Sequence, residues 1–139
     1  NVQTVDGTSP DVTVNQPDGD EVLAEGDSFD ITWDATDTDS SIETDSVDLE
    51  YSTDGDTWTQ IATGESNDGT YSWTVPELDS TSVRVRVSAD DTQGNTGTDT
   101  SSQFEVDSTP PNVDSATISN SPISNSDTGT SQDVTVNFD

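Results

Sequence analysis

The feature that most constrains this chain is an alternation of apolar and polar side chains with a period of two residues. In the segment Ser-Phe-Asp-Ile-Thr-Trp-Asp, Phe29, Ile31 and Trp33 alternate with polar neighbours, and three valines do the same within residues 83–87. Successive side chains of a β-strand point to opposite faces of a sheet, so this period predicts strands that bury one face. Seven such runs fall within residues 10–107, separated by Asp, Gly, Asn, Pro and Ser. The chain is therefore predicted to be all-β, a seven-stranded antiparallel β-sandwich.

The inward positions of these runs define the predicted core. All three tryptophans and both tyrosines fall in the same stretch, so the sandwich has large apolar side chains to bury. The predicted core residues are Phe29, Ile31, Trp33, Val47, Leu49, Tyr51, Tyr71, Trp73, Val83, Val85, Val87 and Phe104.

The overall composition argues in the other direction. There are 30 acidic residues and two basic ones, which gives a formal net charge of −28 at pH 7, and 25% of the residues are hydrophobic. Low hydrophobicity with high net charge is typical of disordered chains. Molar salt reconciles this charge with a folded state, because the Debye length falls to about 3 Å at 1 M and exposed carboxylates then hardly repel one another. The sequence predicts a salt-adapted protein of haloarchaeal type, with an ordinary acidic secreted domain as the alternative.

The residue types that are missing exclude several functions. The chain has no Cys and no His, and its two basic residues are both arginines, so it has no Lys. The chain therefore cannot form disulfides or thiolate metal sites, and it cannot use a histidine base or Schiff-base chemistry. An anionic surface repels nucleic acids and anionic lipids, and no apolar run approaches the roughly 20 residues that span a bilayer. We expect no catalytic activity, no nucleic-acid partner and no membrane span in this segment.

An internal repeat predicts the domain boundaries. Residues 3–12 read Gln-Thr-Val-Asp-Gly-Thr-Ser-Pro-Asp-Val, and residues 104–113 read Phe-Glu-Val-Asp-Ser-Thr-Pro-Pro-Asn-Val, an offset of 101 residues. The simplest explanation is a tandem array. Its predicted parts are an end strand of a preceding domain with its linker (1–9), a complete sandwich (10–107), a Ser/Thr-Pro linker (108–111) and the first strands of an incomplete following domain (112–139). That last part is completed either by a longer chain or by a strand from another molecule.

The sequence also resembles a known group of surface domains. The stretch Pro17-Asp-Gly-Asp-Glu-Val-Leu-Ala-Glu-Gly-Asp-Ser-Phe-Asp-Ile-Thr-Trp33 is similar to the opening of prokaryotic Ig-like or fibronectin type III-like repeats, and to the N-terminal domain of fungal cell-wall-synthesis proteins. The similarity continues through Leu49–Trp58, Gly69–Pro76 and Val83–Asp90. It implies an Ig/fibronectin-III-like sandwich with Trp33 in the core, although the chain lacks both the disulfide and the tyrosine corner of antibody domains.

Acidic residues in the loops suggest one ligand, a calcium ion. Fibronectin-like topology would gather several of these acids at one pole of the domain. Calcium takes six to eight oxygen ligands, and carboxylates supply such oxygens. The alternative is that these acids serve hydration, because acids are abundant throughout the chain. The candidate ligands are Asp34, Asp37, Asp39, Asp90, Asp91 and Asn95.

Two further patterns have structural interpretations. Arg84 and Arg86 lie between inward valines on the sixth strand, so they are expected to point outward and pair with Asp48 and Glu50 of the neighbouring third strand. The stretch around Asp54-Gly55 is expected to form a hairpin with a two-residue turn rather than a sialidase-type Asp box.

These inferences point to a non-catalytic structural module of an extracellular surface protein or filament of a halophilic microbe, acting in spacing, adhesion or assembly. Its expected partners are neighbouring Ig-like domains of the same or an identical chain, joined in one version by strand donation. The alternative is a carbohydrate-binding accessory module or a virus fibre domain. That alternative requires exposed aromatic rings, and only Trp58 lies where the alternation leaves its direction open.

Overall fold

A computed structural model describes residues 5–112. Up to Thr109 these residues belong to the first of two units into which the chain divides. The unit contains nine strands and no helix among its described residues: β1 (Asp11–Gln16), β2 (Val22–Leu23), β3 (Ser28–Thr36), β4 (Val47–Ser52), β5 (Thr59–Glu65), β6 (Thr70–Thr74), β7 (Asp79–Asp90), β8 (Thr96–Thr100) and β9 (Phe104–Asp107).

The strands form two sheets that pack face to face. One sheet has the order β1-β3-β6, and the other has the order β2-β9-β7-β4-β5, with β8 also paired to β7. Strand β7 is 12 residues long, and along one edge its two halves pair with different strands. Strand β9 pairs with the beginning of β7, and β8 pairs with its end.

A single serine explains why the last strand is divided into β8 and β9. Ser101 lies between the two and is 9% exposed. Its hydroxyl accepts a hydrogen bond from the Val85 backbone N–H at 3.0 Å, and its own N–H donates to the Val85 carbonyl at 2.8 Å. The side chain thus replaces one backbone bond of the ladder, which lets the chain shift register without leaving a buried donor unpaired.

The predicted β-sandwich is confirmed, but the strand count differs. The seven predicted runs all lie in strands or at their ends, and β2 and β8 are additional. Strand β8 reads Thr-Gly-Thr-Asp-Thr, which has no apolar alternation to detect, and β2 has only two residues. The predicted antiparallel pairing also has one exception, since β2 runs parallel to β9.

The core lies between the two sheets. Of the twelve predicted core residues, nine are buried, while Phe29, Tyr51 and Tyr71 are partly buried and pack against them. Trp73 joins the two sheets, because its ring centroid lies 5.6 Å from that of Tyr51 and 6.5 Å, edge-on, from that of Phe104. The edge-to-face arrangement of Trp73 and Phe104 is one of the favoured geometries for aromatic pairs.

Trp33 also needs a polar partner, because its indole is buried. Its Nε1–H donates to the Asn67 side-chain oxygen at 3.1 Å, and the Asn67 amide donates to the Ala35 carbonyl at 2.9 Å. Asn67 lies in the turn between β5 and β6, so this turn closes one edge of the core.

The segments that flank the sandwich are attached to it. Residues 5–9 were predicted to belong to a preceding domain and its linker, yet Thr8 donates a hydrogen bond to Asp39 at 2.7 Å. At the other end, Thr109 donates to Asp79 at 3.0 Å. The strands predicted after residue 112 lie outside the described residues.

Candidate functional site

Three segments meet at the pole of the sandwich where β7 ends. They are the N-terminal segment before β1, the loop after β3 and the turn between β7 and β8. Each contributes one carboxylate: Asp6, Asp37 and Asp91 each place an oxygen within 4.8 Å of the other two. We call these three residues the carboxylate triad.

Asp91 is the most deeply buried member of the triad, with 2% of its surface exposed. Its Oδ1 accepts hydrogen bonds from the backbone N–H groups of Gln93 and Asn95, both at 2.8 Å, and its Oδ2 accepts one from the Asn95 side chain at 2.8 Å. Burial raises the pKa of Asp91, but the hydrogen bonds from Asn95 and Gln93 outweigh it, so the net shift of the pKa is downward. Asp91 is therefore an anion.

Asp37 uses one oxygen to fold its own loop. Its Oδ1 accepts hydrogen bonds from the backbone N–H groups of Asp39 and Ser40 at 2.8 and 2.7 Å, and from the Ser40 hydroxyl at 3.1 Å. This arrangement is an Asx-type turn, in which a short acidic side chain satisfies the backbone just ahead of it. The other oxygen, Oδ2, is buried without a hydrogen-bond partner.

The two carboxylate oxygens of Asp6 differ in the same way as those of Asp37. Its Oδ1 accepts a hydrogen bond from the Thr8 backbone N–H at 2.8 Å, and its Oδ2 is buried without a partner. The Asp6 carbonyl accepts a hydrogen bond from the Asn95 side chain at 3.1 Å. Asn95 thus contacts both Asp6 and Asp91, and it ties the N-terminal segment to the β7–β8 turn.

The triad has the chemistry of a cation site. A buried carboxylate oxygen without a donor is costly, and two of them beside a third carboxylate repel one another. Calcium lies 2.3–2.6 Å from its oxygen ligands, so ligands on opposite sides of the ion are about 5 Å apart. The three triad oxygens lie within 4.8 Å of one another, close enough to contact one such ion together. Asp6, Asp37 and Asp91 would hold the ion, which would cancel their repulsion.

The six candidate ligands proposed from the sequence separate into two groups. Asp37, Asp91 and Asn95 meet at the triad, and Asp39 lies beside it through its bond to Thr8. The other two face elsewhere: Asp34 accepts a hydrogen bond from Asn15 at 2.9 Å, and Asp90 accepts one from Thr96.

Sequence reasoning missed Asp6 altogether. The internal repeat places it in the end strand and linker of a preceding domain (1–9), so it is not among the candidate ligands predicted from the sequence. The signal was nonetheless present, since Asp6 belongs to the repeated Val-Asp motif and lies four residues before Pro10, where the sandwich begins.

The two arginines on the outer face of β7 behave differently from each other. Arg86 is paired with Glu50 on β4, with its Nε–H donating at 2.9 Å, and its guanidinium lies 4.1 Å from the centre of the Trp58 ring. Arg84 stands opposite Ser52 and forms no ion pair with any residue in 5–112. The expected second pair with Asp48 was wrong.

Asp48, on β4, is instead bonded to two residues of β5. Its carboxylate accepts hydrogen bonds from the Thr63 hydroxyl and from the Gly64 backbone N–H. The residue opposite it on β7 is Ser88, too short to compete for that carboxylate.

Trp58 points to the outer face of the sandwich and is partly exposed. Because Arg86 covers one face of its ring, less of this tryptophan is open to a sugar than the sequence alone suggested.

The β4–β5 hairpin forms as expected, but its loop is longer than two residues, since Tyr51 pairs with Thr59. Asp54 organises it. Backbone hydrogen bonds from Thr57 and Asp56 lower the pKa of Asp54 to about 2, with a contribution from the Ser52 hydroxyl. The loop is therefore a structural turn.

This fold defines a class of protein, the Ig-like β-sandwich modules, which are generally non-enzymatic. The model of the bacterial Ig domain family matches residues 10–87, more than half of the chain. The chain therefore belongs to the bacterial Ig domain family. The resemblance to Ig-like repeats is confirmed, while the similarity to fungal cell-wall proteins stays a prediction. No curated protein matches this chain.

One solved structure supports the fold, and a second was found with a lower score. The fibronectin(III)-like modules of CbhA from Clostridium thermocellum superpose with a TM-score of 0.51 at 21% identity, over 70% of this chain and 47% of that one. An engineered protein gives a TM-score of 0.45 at 18% identity, over 71% of this chain and 20% of that one. The match thus spans about half of the CbhA chain, and at this identity it shows the fold alone. Among residues 5–112 there is no helix with the length and hydropathy to cross a membrane.

Proposed function

We propose that this domain is a non-catalytic, rigid spacer in an extracellular tandem-repeat protein of a halophilic microbe. The observation that carries the proposal is that the flanking segments are hydrogen-bonded to the sandwich at both ends. A domain whose two linkers are fixed to its own surface holds its neighbours at set positions, whereas free linkers would let the array bend.

The two attachments lie at opposite ends of β7. Near its beginning, Asp79 accepts hydrogen bonds from the Ser108 backbone and the Thr109 hydroxyl, both at 3.0 Å. Just beyond its end lies Asp91 of the triad. The 12-residue strand between them measures about 36 Å at 3.3 Å per step. The two attachments are therefore separated by roughly that length within this domain.

Calcium is the ligand that would complete the N-terminal attachment. The segment carrying Asp6 is joined to the sandwich by only a few exposed or partly buried hydrogen bonds. An ion held by Asp6 on one side and by Asp37 and Asp91 on the other would cross-link the linker to two loops of the domain. Ion binding to the folded state alone stabilises it, by about 2.7 kcal/mol when calcium is at 100 times its Kd.

The high-salt origin is supported by the charge. With 30 acids and two arginines, of which one is paired with Glu50, nearly all carboxylates must be screened by solvent ions. We expect near-UV circular dichroism to show a folded domain in about 3 M NaCl and loss of tertiary signal towards 0.1 M. An unchanged spectrum at the lower salt concentration would contradict the halophilic part of the proposal.

The calcium part is tested by isothermal titration calorimetry of the chain in about 3 M NaCl. The wild-type chain should bind one calcium, and Asp37→Asn should abolish or strongly weaken the binding. Asp34→Asn is the matched control, because it removes the same charge from a neighbouring residue that hydrogen-bonds Asn15 outside the triad. No heat with the wild-type chain, or equal losses in both variants, would refute a calcium site at the triad.

The spacer role is tested by negative-stain electron microscopy of the parent protein in the same salt. A spacer gives beads at a regular separation, which becomes irregular when a chelator removes calcium. Ordered filaments formed by this chain alone would instead favour the assembly version of the function, in which strands are donated between molecules.

A further inference from the structure

We propose that the outer edge of β6 is a self-association site, to which a second copy of this chain adds its own β6 in antiparallel pairing. The inference goes beyond the spacer function and does not involve calcium. It starts from a difference between the two sides of the sandwich along which the edges of the two sheets meet. One side is closed by contacts within the domain, and the other side is open.

On the closed side, β1 of the first sheet lies against β8 of the second. The Val14 backbone N–H donates to the Asp99 carboxylate at 2.8 Å, and the chain at Pro10 passes directly over Gly97. One donor on the edge of β1 is therefore already bonded, and the edge of β8 is covered at Gly97. Both edges are thus protected within the domain, as edge strands of monomeric proteins usually are.

On the open side, β5 and β6 lie across from each other without pairing. Among residues 5–112, β5 pairs with β4 alone and β6 pairs with β3 alone. A groove of about 370 Å³ lies between the two strands, and the partly buried side chains of Tyr51, Ile61 and Tyr71 contribute to its lining. The two sheets therefore expose part of their inner side chains along this side.

The two strands of the open side are also uncharged over most of their length. Residues 57–64 and 69–76 contain no acid, although the chain has 30 acids among its 139 residues. By contrast, β1 and β8 contain Asp11 and Asp99. A carboxylate on an edge strand opposes pairing with a second molecule, because it would have to lose water and would meet its own equivalent. The open side lacks this protection.

Of the two strands, β6 has the edge that suits pairing. The register of β5 against β4 shifts twice, and Gly64 within β5 has a φ of 68°. Such bulges twist an edge strand away from a neighbour. The register of β6 against β3 is unbroken from Thr70 to Thr74. The regular edge on this side is therefore that of β6.

The hydrogen bonds between β6 and β3 show which backbone groups of β6 face outward. The Gly69 carbonyl accepts a hydrogen bond from β3 at 3.1 Å, and the Val75 N–H donates to the residue before β3 at 2.9 Å. Odd-numbered residues of β6 therefore bond to β3. The alternation of an antiparallel ladder then turns the backbone N–H and C=O groups of Thr70, Ser72 and Thr74 outward.

The occupant that fits this edge is the same edge of a second copy. A two-fold axis beside Ser72 places the two Ser72 residues opposite each other and Thr70 opposite Thr74, so both strands donate and accept reciprocally. The Thr70 N–H already donates to Asp68 at 3.1 Å, so Ser72 and Thr74 supply the donors. The pairing brings two uncharged strands together and places Tyr71 of each copy beside the groove of the other.

The association should be weak for a single chain. The paired edge is only five residues long, so it buries less surface than a stable interface, and we expect a Kd of roughly 0.1–1 mM. In a tandem array the same contact would recur in every repeat that has this edge. Repeated weak contacts add up once the first has formed, so two arrays would associate side by side.

Sedimentation velocity of the full chain in about 3 M NaCl tests the proposal. Between about 10 µM and about 1 mM, the wild-type chain should pass from monomer to dimer. The Ser72 and Thr74 amides should exchange hydrogen more slowly at the higher concentration. Ser72→Pro should abolish the dimer, because it removes the donor at the two-fold axis while the bonds of β6 to β3 remain. Near-UV circular dichroism shows whether this variant is folded.

Two aspartate variants form a matched pair, and they decide the matter if Ser72→Pro does not fold. The Ser72 and Ser28 hydroxyls are hydrogen-bonded to each other at 2.9 Å, and both side chains are exposed. Ser72→Asp and Ser28→Asp each remove that bond and add one carboxylate, but only Ser72 lies on the edge strand. Ser72→Asp should weaken the dimer severalfold, because it sets two carboxylates opposite each other, and Ser28→Asp should leave the dimer unchanged.

The other outcomes overturn the inference. A wild-type chain that stays monomeric at the highest concentration does so directly. If Ser72→Asp and Ser28→Asp weaken the association equally, or a folded Ser72→Pro still dimerises, the contact lies elsewhere. Assemblies larger than a dimer also contradict it, because a symmetric pair of edges closes on itself. Calcium binding and the spacer function are unaffected by any of these results, so their failure would be seen separately.

Discussion

The close approach of Gly97 to Pro10 makes a sharp prediction about how the N-terminal segment is seated. Gly97 lies on β8 opposite Ala89, and the chain passes directly over it as it enters β1. A Cβ at Gly97 would overlap the Pro10 carbonyl oxygen and would stand 2.8 Å from its carbonyl carbon and 3.1 Å from its Cβ. Ordinary van der Waals contact begins near 3.4 Å, and the Pro10 carbonyl oxygen would lie far inside that distance, so in Gly97→Ala the backbone of Pro10 must move by more than about 1 Å.

The size of the effect follows from that displacement. Pro10 is buried, and one extra methyl group in a well-packed region typically costs about 1–3 kcal/mol. For a domain of about 100 residues, each kcal/mol lowers Tm by roughly 4–8 °C, so a loss of about 2 kcal/mol means roughly 8–16 °C. Because Asp6 lies four residues before Pro10, the same shift should also weaken calcium binding at the triad.

Thermal melts followed by circular dichroism in molar NaCl, with and without calcium, measure both effects. Gly7→Ala is the matched control, because a Cβ there meets nothing within 4 Å and the residue lies in the same segment. We expect Gly7→Ala to melt within a degree or two of wild type and to keep its calcium response. A Gly97→Ala variant that melts like Gly7→Ala would show that Pro10 is not held against β8, and the attachment of the N-terminal segment would then be refuted.

Three further predictions follow from single contacts. Arg86→Ser should cost about 1 kcal/mol, from one partly exposed ion pair and one cation–π contact, and should raise acrylamide quenching of Trp58, whereas Arg84→Ser should change neither. Asn67→Ala should lower the free energy of unfolding, measured by chemical denaturation, by about 1–3 kcal/mol, because it leaves the buried Trp33 indole N–H without an acceptor. Asn67→Asp keeps an acceptor and should lower the free energy of unfolding by less. The pKa of Asp54 is depressed to about 2, so the stability that this group contributes is present above its ordinary pKa near 3.8 and is lost as the pH falls towards 2. Asp54→Asn should therefore flatten the pH dependence of the free energy of unfolding in that window. An unchanged acid profile would contradict the assignment.

The alternation of side chains predicted most of the fold because it reports directly on burial. Ile31 and Trp33 are buried at the positions that the period requires, and β3 pairs and packs accordingly. Strand β8 could not be predicted in the same way. Its residues are small and polar, and it is a strand only because the end of β7 offers it a free edge.

The site was predicted in part, for a different reason. Asp37 and Asp91 follow strands β3 and β7, so topology alone brings them to the same pole. Asp6 comes from outside the sandwich, and its place depends on the Thr8 and Asn95 hydrogen bonds that no periodicity encodes. The ion pair predicted for Arg84 failed because alternation does not give the register between β4 and β7. That register places Arg84 opposite Ser52 and beside the turn at Gly55 rather than beside an acid.

Sodium and calcium should act on different parts of this molecule. At molar ionic strength a Debye length of about 3 Å screens the exposed carboxylates, which removes the repulsion that opposes folding of the sandwich. One unpaired oxygen of Asp6 and one of Asp37 are buried, and the carboxylates of Asp6, Asp37 and Asp91 each place an oxygen within 4.8 Å of the others, so mobile ions screen this group poorly. Dilution of the salt should therefore unfold the whole domain. A chelator in molar NaCl should leave the near-UV spectrum of the buried tryptophans unchanged while increasing hydrogen exchange in residues 5–10. If the chelator unfolded the core, or if exchange in that segment did not rise, the separation of the two roles would be wrong.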